Sequence, residues 1–374
     1  MDTMRVARLH SPGQGMVLED VPVPVMGGND AVVAVEACGL VPNIDQILAR
    51  VAARACYPHL PRLPAGFGFN ITGIVHRASN PASGHAIGDR VFVSPALSCG
   101  ICEACIDGDL QDCANFAILG YFGFGAHAQA LFDAYPHGGY SQFVVAPAAN
   151  LVRLPDQTSF EQATRFGYLA TALSCLNKAG LHRAGAPAGR VVLINGITGT
   201  IGLSTCLVAL ALGATRILGT GRQTKLLEKV ASLAPGRIAT HNFSDGPISD
   251  FARAHSAGLG VPCVVDCLGA GAPGALMQDA IYGLRRGGCL VNVNGIGSPV
   301  ALDLKWMQSQ QIRLLGNNWC THEDVRTVSD MVSAGRLDLS ALSTVSFALA
   351  DINSAMIKAA DRPLGGFSIA VIIP

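Results

Sequence analysis

Four cysteines, Cys99, Cys102, Cys105 and Cys113, fall in the pattern C-x2-C-x2-C-x7-C. Four thiolates at such spacing close a tetrahedral shell on zinc. A closed shell leaves no open position for a substrate, so the expected role is structural: one Zn2+ per chain that orders a loop and contributes its binding energy to folding. An iron–sulfur cluster also takes four thiolates, but its usual run places the fourth cysteine differently. Thiols that bind nothing are the remaining reading.

A second constellation is a glycine turn. In Val191-Val-Leu-Ile-Asn-Gly196-Ile-Thr198-Gly199-Thr200-Ile201-Gly202 an apolar strand runs into three spaced glycines and then an apolar helix. One glycine makes the tight turn, another lets a pyrophosphate approach the backbone, and the last lets helix and strand pack closely. The helix N-terminus presents free N–H groups and a positive dipole end to the phosphate. The spacing is G-x-x-G-x-x-G rather than the plain dinucleotide fingerprint. A structural turn that binds no nucleotide is the competing reading.

The end of the next strand selects the cofactor. An acidic residue there would hold ribose hydroxyls; this chain has Thr220-Gly221-Arg222. A guanidinium suits a 2′-phosphate through charge-assisted, bidentate bonds. The expected cofactor is therefore NADP(H) rather than NAD(H), with Lys225 a possible helper. Arg222 as an ordinary solvated surface residue is the alternative.

These groups need elements to position them. From Val191 onward, apolar strands (191–194, 216–220, 263–267, 289–293, 312–315) alternate with helical segments (201–212, 225–233, 274–284), the βαβ pattern of a parallel, doubly wound sheet. Residues 5–40 read as antiparallel β structure, with another strand pair at 71–76 and 90–93. Phe160 to Ala179 reads as helical. Residues 98–139 form a long irregular excursion that a bound metal would order. A last helix, 323–334, precedes a short β-rich tail.

The composition agrees with a compact, neutral, globular protein that handles a small molecule. The 374 residues are 50% hydrophobic and 14% charged, with zero formal net charge. That excludes disorder, and no basic run points to nucleic acid or an anionic membrane. The uncharged stretch 191–215 is long enough to span a bilayer, but its glycines favour strand, turn and helix. Met1 to Leu18 has no apolar core of a signal peptide. A cytoplasmic location with reduced thiols is expected.

Together these residues resemble the medium-chain dehydrogenase/reductase superfamily, which includes the zinc alcohol dehydrogenases. The resemblance rests on the four-Cys lobe, Ala86-Ile-Gly-Asp-Arg-Val, Gly138-Gly-Tyr-Ser-Gln-Phe-Val-Val, the glycine turn, and Arg286-Gly-Gly-Cys-Leu-Val-Asn-Val-Asn-Gly. It implies an α/β protein in which a GroES-like β-rich catalytic domain (1–167) is followed by a Rossmann domain (168–319). A C-terminal return to the catalytic domain (320–374) and a cleft at the junction complete the plan. It implies a homodimer or homotetramer, associating through a strand-rich segment near Pro299 to Leu315.

The family's catalytic zinc ligands do not carry over. Val41 stands at the first position, Phe67 at the second (the G-H-E motif is Gly66-Phe67-Gly68) and Gly167 at the third. None offers a donor atom. A different ligand set from Cys38, Cys56 or His59 is the alternative. Zinc-less relatives deliver hydride from NADPH to an activated double bond, so reduction of an α,β-unsaturated carbonyl is the leading expectation. Zinc-independent reduction of a ketone or aldehyde comes next, then a non-enzymatic NADPH-binding protein. By the resemblance, Asn43 and Tyr57 are the candidate catalytic residues. Thr171 lies near the nicotinamide, and Asn294, Gly295 and Ile296 pair with its carboxamide. Pro95 and Trp319 line the pocket.

Overall fold

The computed structural model describes residues 3–41, 58–79, 84–181, 191–293, 295 and 297–374. In the N-terminal half the strand Asp30–Gly39 is buried along most of its length because it is central. It pairs antiparallel with Asn70–Ala78, Phe143–Pro147 and, from the far end of the chain, Ser368–Ile373. Arg90–Val93 and Leu151–Arg153 extend this sheet on one side, and Ser343–Ala348 on the other. The last residues of the chain thus complete the first half's sheet.

The second half is a six-stranded parallel sheet. Its order across the sheet is Ile238–Asn242, Arg216–Gly221, Val191–Asn195, Val261–Asp266, Leu284–Asn292, Arg313–Gly316. That is the doubly wound order 3-2-1-4-5-6. The strand order reverses beside Val191–Asn195, so a crevice opens at its carboxyl end. The helix Thr200–Ala211 is apolar on all sides and buried for most of its length, as a helix between a sheet and another layer must be. The uncharged stretch 191–215 is accordingly strand, turn and helix. Among the described residues no helix is long and apolar enough to cross a membrane.

The helix Phe166–Lys178 lies where the halves meet, packed on Thr200–Ala211 and His322–Ser333. Residues 166–176 are all buried. Arg165, just before it, is enclosed as well. Its guanidinium donates to the carbonyls of Gly366 (2.8 Å), Ser343 (2.7 Å) and Phe367 (3.1 Å). Burial lowers its pKa to about 10.

Two elements escape the sequence pattern. The edge strand Ile238–Asn242 has a single buried apolar residue, Ile238, and so lacks the apolar run of its neighbours. The helix Ile248–Ala254 follows it. One expectation is corrected: Pro299 to Leu315 is not rich in strand. It holds the helix Leu304–Gln310, whose N-terminus Asp303 caps by accepting from Trp306 N (2.9 Å), and only then the short edge strand. The helix expected to reach Leu284 ends at Tyr282, since Leu284 already begins the next strand.

Candidate active site

The excursion after Leu97 wraps around its four cysteines. The Sγ atoms of Cys99, Cys102, Cys105 and Cys113 all lie within 4.8 Å of one another. Neighbouring sulfurs stand 3.5 Å (102–105), 3.6 Å (113–99) and 4.0 Å (99–105) apart. A tetrahedron of sulfurs about 2.3 Å from zinc has edges of roughly 3.8 Å. The donor set therefore fits zinc. A backbone N–H at Cys105 lowers the Cys102 thiol to about 6, and one at Ile101 lowers Cys99. Cys113 is pushed up to about 12 by burial, a penalty that a bound cation offsets. No other such group of ligands occurs among the described residues. Cys38 is enclosed, its thiol pushed far up by burial. His59 holds a backbone bridge to Gly123. Cys56 lies outside the described residues.

The glycine turn opens onto a cleft of about 730 Å3 at the carboxyl ends of the parallel strands. Gly196, Thr198, Gly199, Thr200, Ile201, Gly221 and Arg222 line it, as do Thr171 and Gly295. Three other residues expected at the cofactor lie elsewhere. Gly202 works inside the turn: a Cβ there would lie 2.2 Å from the Gly196 carbonyl. Thr220 is enclosed, donates to Asn195 Oδ1 (2.6 Å) and accepts from Gly196 N (3.2 Å), so it holds the turn's shape. Lys225 is exposed on its helix and does not line the cleft. Arg222 is exposed at the rim, and its guanidinium has no partner among the described residues. Its carbonyl is held by Asn242 Nδ2 at 3.0 Å. Thr171 is enclosed and donates to the Gly167 carbonyl (2.8 Å).

Sequence reasoning missed the C-terminal contribution. Gly366 N donates to the Thr198 carbonyl (2.8 Å). Any Cβ at Gly365 or Gly366 would strike the Thr198 or Gly199 carbonyl, at 2.5 and 2.4 Å. The two glycines let the returning chain lie against the cofactor turn, and they bring Arg362 into the cleft. Arg362 donates to Thr200 Oγ1 and takes a left-handed backbone (φ 36°). The local signal, Arg-Pro-Leu-Gly-Gly, has no meaning until the fold places it.

The other end of the cleft is aromatic. Phe69, Tyr121, Phe122, Phe124, Tyr168 and Trp319 line it, with Val41 and Ile118. Phe69 meets Trp319 edge-on at 4.8 Å and Tyr168 at 6.3 Å, and Tyr168 meets Trp319 at 6.0 Å. Pro95, unlike Trp319, does not line the cleft. Val41 and Phe67 are buried apolar side chains. A Cβ on Gly167 would lie 2.4 Å from Asn70 Oδ1 and 2.8 Å from Trp319 Cζ2. Positions 41, 67 and 167 thus contribute no metal ligand. Asn43, Tyr57, Asn294 and Ile296 lie outside the described residues.

Beneath the cleft, Asp266 ends the strand beside Val191–Asn195. Asn195 Nδ2 (2.7 Å) and Asn292 Nδ2 (3.2 Å) donate to its carboxyl, and burial outweighs them, raising its pKa to about 7.

A GroES-like β-rich domain and a Rossmann sheet that share a cleft define a two-domain dehydrogenase architecture. Comparison with known proteins agrees. Residues 27–156 match the alcohol dehydrogenase GroES-like domain, and residues 200–334 match the zinc-binding dehydrogenase family. The chain belongs to the medium-chain dehydrogenase/reductase superfamily. It is 25% identical to Probable D-xylulose reductase A of Neosartorya fischeri over 75% of this chain and 73% of that protein. It is 28% identical to the quinone oxidoreductase of Sus scrofa over 59% of this chain, spanning only 52% of that relative. Two solved structures share the fold over the whole of both chains. One, named as a zinc-binding dehydrogenase of Sinorhizobium meliloti 1021 bound to NADP, has a TM-score of 0.80 at 23% identity. The other, an E. coli CFT073 alcohol dehydrogenase complexed with NADH, has a TM-score of 0.82 at 18% identity.

Proposed function

We propose that this oxidoreductase uses NADPH to reduce the activated double bond of an α,β-unsaturated carbonyl, without a catalytic zinc. One observation carries the reading: the cleft joins a glycine turn to an aromatic wall that includes Val41, and Val41, with the buried Phe67 and Gly167, stands where the family's metal ligands would be. When bound, the nicotinamide supplies a hydride, and a conjugated acceptor needs less Lewis-acid polarisation than a simple ketone.

The chain's own residues divide the work. The N–H groups at the start of Thr200–Ala211 and the Arg362 guanidinium would hold the diphosphate. Arg222, exposed at the rim, would take the 2′-phosphate. Thr171 and Gly295 would flank the nicotinamide, and the aromatic wall would exclude water and seat a flat apolar substrate. The four cysteines would hold one structural Zn2+.

The Tyr168 phenol in the wall, a proton donor facing the cleft, favours a second reading, reduction of a ketone or aldehyde. The purified chain should contain one zinc per polypeptide by mass spectrometry and oxidise NADPH faster than NADH in the presence of an aryl enone. Two zincs per chain, with activity lost when one is removed, would overturn the proposal. Consumption of NADPH with ketones alone would select the second reading. NADPH binding without turnover on either class would leave a non-enzymatic binder.

A further inference from the structure

Around the aromatic end of the cleft two side chains carry hydrogen-bonding groups with no geometric partner among the described residues. Asn70 is fully enclosed, yet neither Nδ2 nor Oδ1 has a hydrogen bond, and Trp319 Nε1 is likewise enclosed and unpaired. Leaving such groups buried and unmatched costs about 1–3 kcal/mol each, so an unexplained cluster asks for an occupant. The Tyr168 hydroxyl lines the cleft and stands next to the Asn70 amide, within its hydrogen-bonding reach. Asn70 Oδ1 and the Trp319 ring close in on the position at Gly167 where a metal ligand would stand, and Tyr168 is the next residue of the helix.

We propose that Tyr168 is the acid of the reaction, donating its O–H to the substrate's oxygen, and that Asn70 is the positioning residue behind it. The inference rests on the reading that a conjugated carbonyl is reduced here. As hydride reaches carbon, a new C–H bond forms and the π bond breaks. The electron pair moves to oxygen, directly in a ketone or through the conjugated chain in an enone. The oxygen takes the Tyr168 proton, and the phenolate recovers one from water at the open mouth. An enone gives the enol, which relaxes to the saturated carbonyl.

Tyr168 sits one helical turn before Thr171, so the two side chains share a face of Phe166–Lys178 toward the cleft. Burial pushes the phenol up to about 12, against the opposing pull of Arg362, Arg165 and the nearby Asn70 amide. It therefore stays a neutral donor at physiological pH. Tyr121, the other phenol of the wall, is the rival.

The test uses the full-length protein, NADP(H) and carbonyl-13C-labelled 4-phenyl-3-buten-2-one. Infrared difference spectra with NADP+ read the hydrogen bond to the bound carbonyl without turnover. In the wild type the stretch should move to lower frequency. In Tyr168→Phe it should return toward the free value, with NADPH affinity unchanged and the single-turnover rate down at least about 100-fold. Asn70→Ala should reduce the shift partly and lower kcat with little change in KM. An unaltered stretch in Tyr168→Phe, or its loss in Tyr121→Phe instead, would overturn the assignment. A wild type that consumes no NADPH defeats the proposed function separately, and the infrared shift still decides whether Tyr168 binds the oxygen.

Discussion

The amide of Asn70 occupies the space that a side chain at position 167 would need: a Cβ on Gly167 would lie 2.4 Å from Asn70 Oδ1. Asparagine at one position and glycine at the other are size-matched. Gly167→Cys should therefore not restore a metal ligand. It should overpack the site, costing about 1–3 kcal/mol, and lower Tm by a few degrees. Adding Asn70→Ala should recover much of that loss, so the double variant should be less destabilised than the sum of the two singles. Additive losses would mean that the two residues do not compete for space.

Arg222 is expected to select the cofactor. Arg222→Ala should weaken NADPH binding by roughly 10- to 100-fold, the loss of a hydrogen bond to a charged group, and leave NADH binding nearly unchanged. Fluorescence titration with both nucleotides measures it, and an equal effect on both would refute the role.

The four-cysteine lobe should bind metal as a unit. Cys113→Ser should lose its zinc, read by mass spectrometry, and the Tm should fall because binding energy is folding energy. The wild type should itself give up zinc as the pH falls, since protons compete with zinc for the thiolates.

Asp266 makes stability depend on pH in an unusual direction. Its pKa is raised from an ordinary 3.8 to about 7, so between those values the folded state keeps a proton that the unfolded state has released. Stability therefore falls as pH rises through this window and levels off above it. The total contribution is on the order of 4 kcal/mol. Urea unfolding at several pH values should show this decline in the wild type relative to Asp266→Asn, which has no carboxyl to titrate. Parallel curves for the two proteins would count against it.

Arg165 fastens the chain's return to the cofactor turn. Arg165→Met removes the donors for three carbonyls at 2.7–3.1 Å, a loss on the order of 3 kcal/mol. The segment around Gly366 should loosen from Thr198, and NADPH affinity should fall although Arg165 does not line the cleft. Calorimetry with and without NADPH would show both effects.

Much of this protein is determined by local sequence. The glycine turn, the four-cysteine lobe and the alternation of apolar strands with helices follow from short-range rules: a φ that only glycine tolerates, a fixed ligand spacing, a repeating period. Those parts were legible, as was the lack of donor atoms at positions 41, 67 and 167. The edge strand Ile238–Asn242 was not, because an edge needs no apolar run. Nor was the inward face of Thr220, which a binding motif alone does not distinguish from an outward one.

The arrangement of the active site was decided only by tertiary structure. Arg362 and Gly366 reach the turn at Thr198–Thr200 from more than 150 residues away along the chain. Asn70, Tyr168 and Trp319 meet around Gly167 because a strand of one half, the junction helix and the segment after the last parallel strand converge there. No periodicity encodes such a meeting. It arises when two separately packed halves close on each other and leave a few polar groups facing the space between.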